Sequence, residues 1–538
     1  MSARKMTVAH EKQWTESVKM ESALKIIYCA CLADPWVQVA RKLREEQGYE
    51  PVYWNGFRAG DAKTILRAFP GVIFQSDFDA CKGIFPKEIA ERFSAAGISI
   101  DFLKEYSSFE LQAIKMMDRM DPDRYSFNFM ERQRHFRNLL KYWTACIDYL
   151  QPDLVVCDIV PHIVFDYVLY LLCKFRRINY VTFLATPFAG RVVPLAEIDT
   201  IGEVFDEDYA GIFKSGATIE DLKRSLPEEI LGPYEKMKLD YSQAEPDYMK
   251  DHKHEHAQSS GLLALTKKFI LDLHRFKDGY FGPDGFLKKG IPTFFKQRRK
   301  SIENSTSPVL TYAILKLKAN AYKTKLRKYY DSLVTAPDYG VPYVVFPLHF
   351  QPELTSSPSG DIFVDQGLCI EVLAKNVPAD HLIYVKEHPT QFYAHTVGQT
   401  GRIPEFYQDI LANPKVRLMP LHVDPFELFA HAKAVATVTG TSGWEAMVKG
   451  KPVISFGLTW YEKYSGVLKI IDEKSAALIT PFIKNFKFDE RNLLAYLNAF
   501  GNKSVKAYAH YGMKEKIDQD EGECVANLAA AVFRMAQK

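Results

Sequence analysis

Thr437-Val-Thr-Gly-Thr-Ser-Gly-Trp-Glu-Ala-Met-Val-Lys-Gly-Lys-Pro-Val-Ile-Ser-Phe-Gly457 is the stretch whose reading decides the fold. Ala434 to Val438 is apolar and β-branched enough to be a buried strand, and small residues follow at Gly440, Thr441, Ser442 and Gly443. A helix is expected to begin there. The free N–H groups of its first turn would favour an anion such as a phosphate, and Glu445, one turn in, stands where a carboxylate reaches a ribose hydroxyl. Gly450-Lys451-Pro452 stops the helix, and Val453 to Phe456 reads as the next strand. The spacing of Ser442 and Glu445 also fits a capping box, by which any helix satisfies its own first N–H groups.

Upstream, from Pro337, strands and helices alternate regularly. Strands are expected at Tyr343 to Pro347, His381 to Val385 and Val416 to Met419, with helices at Asp361 to Lys375 and Pro425 to Ala432. Three loops then carry polar residues at carboxyl ends of strands: Leu348-His-Phe-Gln-Pro-Glu353, Lys386-Glu-His-Pro389 and Thr439-Gly-Thr-Ser-Gly-Trp-Glu445. In a doubly wound sheet such ends lie side by side, so the three loops should converge on one ligand.

The first half repeats the theme. Leu24 to Cys31, Trp36 to Gly48 and Pro51 to Trp54 form a βαβ opening, but the intervening loop lacks Gly-x-Gly-x-x-Gly, which argues against a nicotinamide cofactor. Asp77-Phe78-Asp79 matches the Asp-x-Asp metal pattern of some glycosyltransferases, a pair of acids that arises easily by chance. Pro86 to Tyr149 reads as mostly helical. Asp153 to Asp158 is a buried strand ending in an acid, which places Asp158 either toward the ligand crevice or as a loop-bracing carboxylate. Tyr180 to Leu184 is the next strand, with Thr186, Arg191 and Glu197 on the loop behind it.

Between Thr200 and Ser332 the rhythm lapses. Lys267 to Lys328 holds sixteen Lys/Arg against four acids, densest at Lys296-Gln-Arg-Arg-Lys300. That charge suits a polyanion or an acidic membrane face, or equally a solvated helical face. His252, His254 and His256 alternate with charged residues in a polar stretch, a poor scaffold for structural zinc.

At 538 residues the chain exceeds one ordinary domain, and 47% hydrophobic against 25% charged residues is the balance of a globular protein. A net charge of +3 over that length does not imply nucleic acid. The eight cysteines form no Cys-x-x-Cys pair and read as reduced core thiols of a cytosolic protein. Leu154 to Cys173, the longest apolar run, carries Asp158, Pro161, His162 and Asp166, which excludes a membrane span.

The expected architecture is α/β and GT-B-like, two Rossmann-like domains facing a cleft. Residues 1–22 are a loose tail, 23–200 the first domain, 201–335 a helical basic insertion, 336–490 the nucleotide domain, and 491–538 helices crossing back.

Gln351-Pro352-Glu353, His388-Pro389 and the Thr439 to Gly457 segment together resemble the capsular polysaccharide synthesis family, which includes KpsC/KpsS-like retaining β-Kdo transferases of bacteria. The similarity is strongest over Val344 to Gly466 and none is evident for Thr200 to Ser332. The resemblance implies a retaining glycosyltransferase that takes a CMP-activated 3-deoxy-ulosonic acid, Kdo or a nonulosonic acid such as pseudaminic acid, to a glycan or glycolipid. It implies an aspartate nucleophile in the first domain, which Asp158 matches best. His388 and Lys386 would then neutralise the leaving phosphate with Thr441, Ser442 and Gly443. Gln351 and Gly440 would line the donor site, Glu445 would bind the ribose, and Glu353 would deprotonate the acceptor or position its loop.

A single leaving phosphate makes metal dispensable, and no cofactor is expected. The place of work is the cytoplasm, with peripheral contact on the inner membrane face through 267–328. Two other readings compete: a UDP-sugar transferase or epimerase on the same fold, and a noncatalytic polyanion-binding protein of a capsule export complex.

Overall fold

The computed structural model describes residues 24–56, 59–93, 97–121, 127–239, 309–353, 356–394, 396–510, 514 and 519–537. The expected tail, the histidines at 252–256 and the basic peak at Lys296 to Lys300 lie outside them. So does most of the basic 267–328 region.

Two twisted sheets organise the chain. The first is built from β1 (Leu24–Cys29), β2 (Tyr49–Gly56), β3 (Ile73–Ser76), β4 (Leu154–Cys157), β5 (Asn179–Ala185) and β6 (Arg191–Leu195). The second holds β7 (Tyr343–Pro347), β8 (Leu382–Lys386), β9 (Val416–Met419), β10 (Ala434–Thr437), β11 (Val453–Ser455) and β12 (Val467–Lys469). A last short strand, β13 (Val505–Lys506), returns to the first sheet, whose order is β13-β6-β5-β4-β1-β2-β3.

The second sheet runs β12-β11-β10-β7-β8-β9 and is parallel throughout. In the first, only the β5–β6 and β6–β13 pairs are antiparallel, so β6 alone runs against the rest. Strands covered on both faces read as continuous apolar runs, which is why Ile-Ile-Tyr-Cys, Leu-Val-Val-Cys and Ala-Val-Ala-Thr were recognisable.

Strand order matters more than strand count. In each sheet the chain winds outward in one direction and then restarts on the other side of its first strand. That puts a topological switch point between β1 and β4, and another between β7 and β10. Asp158 follows β4, while the loops at 348–353 and 438–445 follow β7 and β10.

Several details sharpen the expectation or depart from it. Arg191 is not loop: it opens β6, paired antiparallel to β5. Asp77 and Asp79 begin the helix Asp77–Lys82, where Ser76 caps by accepting the Asp79 N–H at 3.2 Å and donating to its carboxylate at 3.0 Å. Among the described residues no group of three or more His, Cys, Asp or Glu is placed to hold a metal ion. The stretch 154–173 is a strand plus a buried helix, and no described helix is long and apolar enough to cross a membrane.

The two sheets share one apolar core. Phe188, in the turn after β5, contacts Trp444 (ring centroids 5.3 Å apart), Trp460 (5.8 Å) and Phe500 (5.2 Å). Phe500 lies on the helix Glu490–Lys503, which also packs against the helices Asp206–Lys214 and Ile219–Ser225. From there the chain enters β13, and its final helix, Glu521–Ala536, covers the first sheet beside the helix Ala33–Gln47.

Candidate active site

The second-sheet loops converge through their own hydrogen bonds. The Leu348 N–H donates to the Lys386 carbonyl at 2.8 Å, tying the β7 loop to β8. His349 Nε2 lies 3.1 Å from Thr437 Oγ1 and accepts the Thr439 N–H at 3.3 Å, tying the same loop to β10. Burial, with Arg402 beside it, pushes His349 down to about 4, so the ring is neutral and can accept.

A buried ion pair braces the other side. Arg402 Nε donates to Glu387 Oε2 at 2.8 Å, and the same guanidinium donates to the His349 carbonyl at 2.9 Å and to Gln351 Oε1. The Tyr407 hydroxyl donates to Glu387 Oε2 at 2.7 Å. One guanidinium thus fixes the loops after β7 and β8 to each other.

Each expected donor-site residue has a definite place in this frame. Gln351 is buried, its amide donating to the Val364 carbonyl at 2.6 Å. Lys386 ends β8 and donates to the Leu421 carbonyl at 3.2 Å. His388 starts a short 3-10 turn, with Nδ1 accepting the Thr390 N–H at 3.3 Å, which fixes the tautomer whose proton is on Nε2.

The helix after β10 runs Thr441–Val448 with Gly440 as N-cap and no side-chain cap, so the Ser442–Glu445 capping box does not form. Instead the Thr437 hydroxyl accepts the Gly440 N–H at 3.0 Å. Thr441 is exposed at the start of this helix and Ser442 half-buried, while the Gly443 N–H donates back to the Gly440 carbonyl at 3.2 Å.

Gly443 is explained by packing: a Cβ there would stand 2.3 Å from the Tyr461 hydroxyl, which donates to the Gly440 carbonyl at 2.5 Å. Glu445 is buried and bonded to the Thr441 side chain, and burial raises its carboxyl to about 7.

Across the cleft, Asp158 is 1% exposed. His510 Nδ1 meets its Oδ2 at 2.9 Å, and Oδ1 has no hydrogen-bond partner among the described residues. Burial pushes the Asp158 carboxyl upward, opposed by His510. Arg119 joins the two halves: it donates to the His162 carbonyl at 2.6 Å, in the loop after Asp158, and interacts electrostatically with Glu353. A narrow gap with room for about 10 Å³ lies beside it, lined by Lys115, Arg119, Gln351 and Ser357 among others, and Gln112 Nε2 bridges to Ser357 Oγ at 3.0 Å.

His349, Arg402, Arg119 and His510 were not anticipated. A glycine-flanked arginine at 401–402 and a histidine 352 residues from its partner leave no local signature.

Comparison with known proteins bears on the second half of the chain. Residues 305–469 match the family described as capsule polysaccharide biosynthesis protein, so the resemblance read from the Gln-Pro-Glu, His-Pro and 439–457 motifs holds there. The match starts at 305, inside the region where no similarity was evident. Capsule polysaccharide modification protein LipA of Neisseria meningitidis is 32% identical over 89 residues, which span 16% of this chain and 11% of that protein.

Among solved structures, the β-Kdo 2,7 transferase KpsC of Thermosulfurimonas dismutans aligns at 16% identity over 39% of this chain and 61% of that one, with a TM-score of 0.23. UDP-GlcNAc 2-epimerase of Methanocaldococcus jannaschii aligns at 13% over 87% and 94%, with a TM-score of 0.22. Neither likeness is close enough to carry an argument about chemistry.

Proposed function

We propose that the protein is a retaining glycosyltransferase moving a 3-deoxy-ulosonic acid, Kdo or a nonulosonic acid, from its CMP donor to a surface-polysaccharide or glycolipid acceptor. The observation that carries this reading is the convergence of the 348–353 and 439–445 loops at one switch point, with 386–389 on the neighbouring strand β8, inside the segment matching a capsule polysaccharide biosynthesis family. A helix N-terminus without a side-chain cap, with a lysine and a histidine on a nearby loop, is suited to one phosphate, which needs no metal to depart.

In the first step Asp158 Oδ1 bonds to the anomeric carbon as the bond from that carbon to the CMP phosphate oxygen breaks, its electron pair leaving on CMP. Lys386, His388 and the Thr441, Ser442 and Gly443 turn hold the departing charge, while Gln351 and Gly440 shape the donor site and Glu445 takes the ribose. In the second step the acceptor oxygen bonds to the same carbon, the Asp158 ester bond breaks with its pair returning to the carboxylate, and the hydroxyl proton passes to Glu353. The basic 267–328 sequence suits peripheral contact with an anionic membrane face near such an acceptor.

Calorimetric titration tests the donor assignment. CMP is expected to bind at least about tenfold more tightly than UDP, a difference of about 1.4 kcal/mol, and Lys386→Ala with His388→Ala to abolish the preference. Equal affinity for UDP and CMP would overturn it.

A further inference from the structure

His510 reaches Asp158 from a chain segment that is pinned residue by residue. Val505 and Lys506 form β13 against β6, the Ala507 N–H donates to the Gly190 carbonyl at 2.9 Å, and the Tyr508 N–H contacts Cys524 Sγ at 3.4 Å. The Ala509 carbonyl accepts the Trp36 indole N–H at 2.8 Å. After these consecutive anchors His510 Nδ1 stands 2.9 Å from Asp158 Oδ2. Its side chain is 44% exposed whereas that of Asp158 is 0% exposed, so the imidazole caps the carboxylate from the solvent side.

Taking Asp158 as the nucleophile of the function proposed above, we infer that His510 is its positioning residue. It fixes the carboxylate through Oδ2, supplies the countercharge that keeps a buried carboxylate ionised, and leaves Oδ1, buried but without a hydrogen-bond partner among the described residues, as the oxygen that must be uncovered for attack. His510 keeps its proton through both steps, since the electron pair that Asp158 Oδ1 gives to the anomeric carbon returns to the same oxygen.

The neighbours leave this pair to dominate the local charge. Cys31 and Cys157 flank Asp158, and burial raises both thiols, keeping them neutral. His162, pushed down to about 3 by burial with Arg119 and His510 adding to the effect, is neutral too. Asp166, raised by burial to about 8, is largely protonated at neutral pH, and Asp77 and Arg119 stand further round the same loop ends. Lys514 pairs with Asp34 and Glu521. Asp158 raises the proton affinity of His510 in return, the reciprocal sign an ion pair requires.

Two measurements on the full chain test this. Proton titration of ¹³C-labelled histidine by NMR, with His510→Gln assigning the resonance, is expected to place His510 above an ordinary histidine and to lower it by about one pH unit or more in Asp158→Asn. This readout needs no donor.

The pH profile of sugar-adduct formation from CMP-Kdo or a CMP-nonulosonate is then compared between wild type and His510→Gln, with matching melting temperatures as the control for folding. Glutamine keeps a hydrogen bond but no charge, so the acid limb is expected to move up by about one unit, a roughly tenfold loss on that limb. A His510 resonance indifferent to Asp158→Asn, or an acid limb that does not move, overturns the positioning role while leaving the transferase reading intact. A coupled pair in a wild type that forms no adduct and releases no CMP overturns the reading and this inference with it.

Discussion

Burial and an ion pair pull the Asp158 carboxyl in opposite directions, and the same opposition recurs at Glu445. Asp158 has His510, which lowers its carboxyl against burial; Glu445 has the Thr441 hydroxyl and sits at about 7. Because its folded value is raised above the ordinary 4.5, Glu445 contributes stability that is full below about 4.5 and lost as pH rises through about 7. Glu445→Gln is therefore expected to gain on the wild type over that window, by about 3 kcal/mol at most, in urea denaturation at a series of pH values. A difference independent of pH would mean the carboxyl is ionised throughout. Asp158 was legible as a strand-end acid, because a run such as Leu-Val-Val-Cys ending in Asp has few other readings. His510 was not, because its meaning comes from a partner 352 residues away.

At the level of the element, the loops after β7 and β8 are held by a buried cation, not by their own sequence. Removing one partner of a buried pair leaves the other uncompensated, so Arg402→Met is expected to cost about 3–5 kcal/mol, and Arg402→Met with Glu387→Gln distinctly less. Denaturation of the two variants checks the sign of the coupling; equal losses would place the cost in packing alone. The turn after β10 rests on a different contact. Gly443→Ala sets a methyl against the Tyr461 hydroxyl and is expected to lower stability by about 1–3 kcal/mol, read as a drop in melting temperature.

Strands β7 and β9 fall on the residues expected, and β10 ends one residue early, since buried parallel strands announce themselves by composition. The short β3, β6, β12 and β13 do not, being three- to five-residue pieces or less whose pairing is set by the sheet edge. The strand-to-helix turn after β10 was readable from its small residues, but the reason for Gly443 was not, because Tyr461 lies in a separate loop.

In the whole molecule, the halves meet through Phe188 among Trp444, Trp460 and Phe500, through Gln112 on Ser357, and through Arg119 facing Glu353. Phe188→Ala is expected to cost about 3–5 kcal/mol and to shift tryptophan emission to the red as Trp444 and Trp460 gain water. An unchanged spectrum would show that the two indoles are packed without it. The α/β class and the two largely parallel sheets followed from two separated runs of alternating strand and helix, whereas the shared core could not, since nothing local marks Phe188 as a bridge.

The central claim is that this cleft transfers an ulosonic acid through Asp158, and intact-protein mass spectrometry tests it most directly. After incubation with CMP-Kdo, or separately with a CMP-nonulosonate, the wild type is expected to gain the mass of one sugar and Asp158→Ala to gain none. No adduct and no CMP release with either donor, or an adduct that persists in Asp158→Ala, would contradict it.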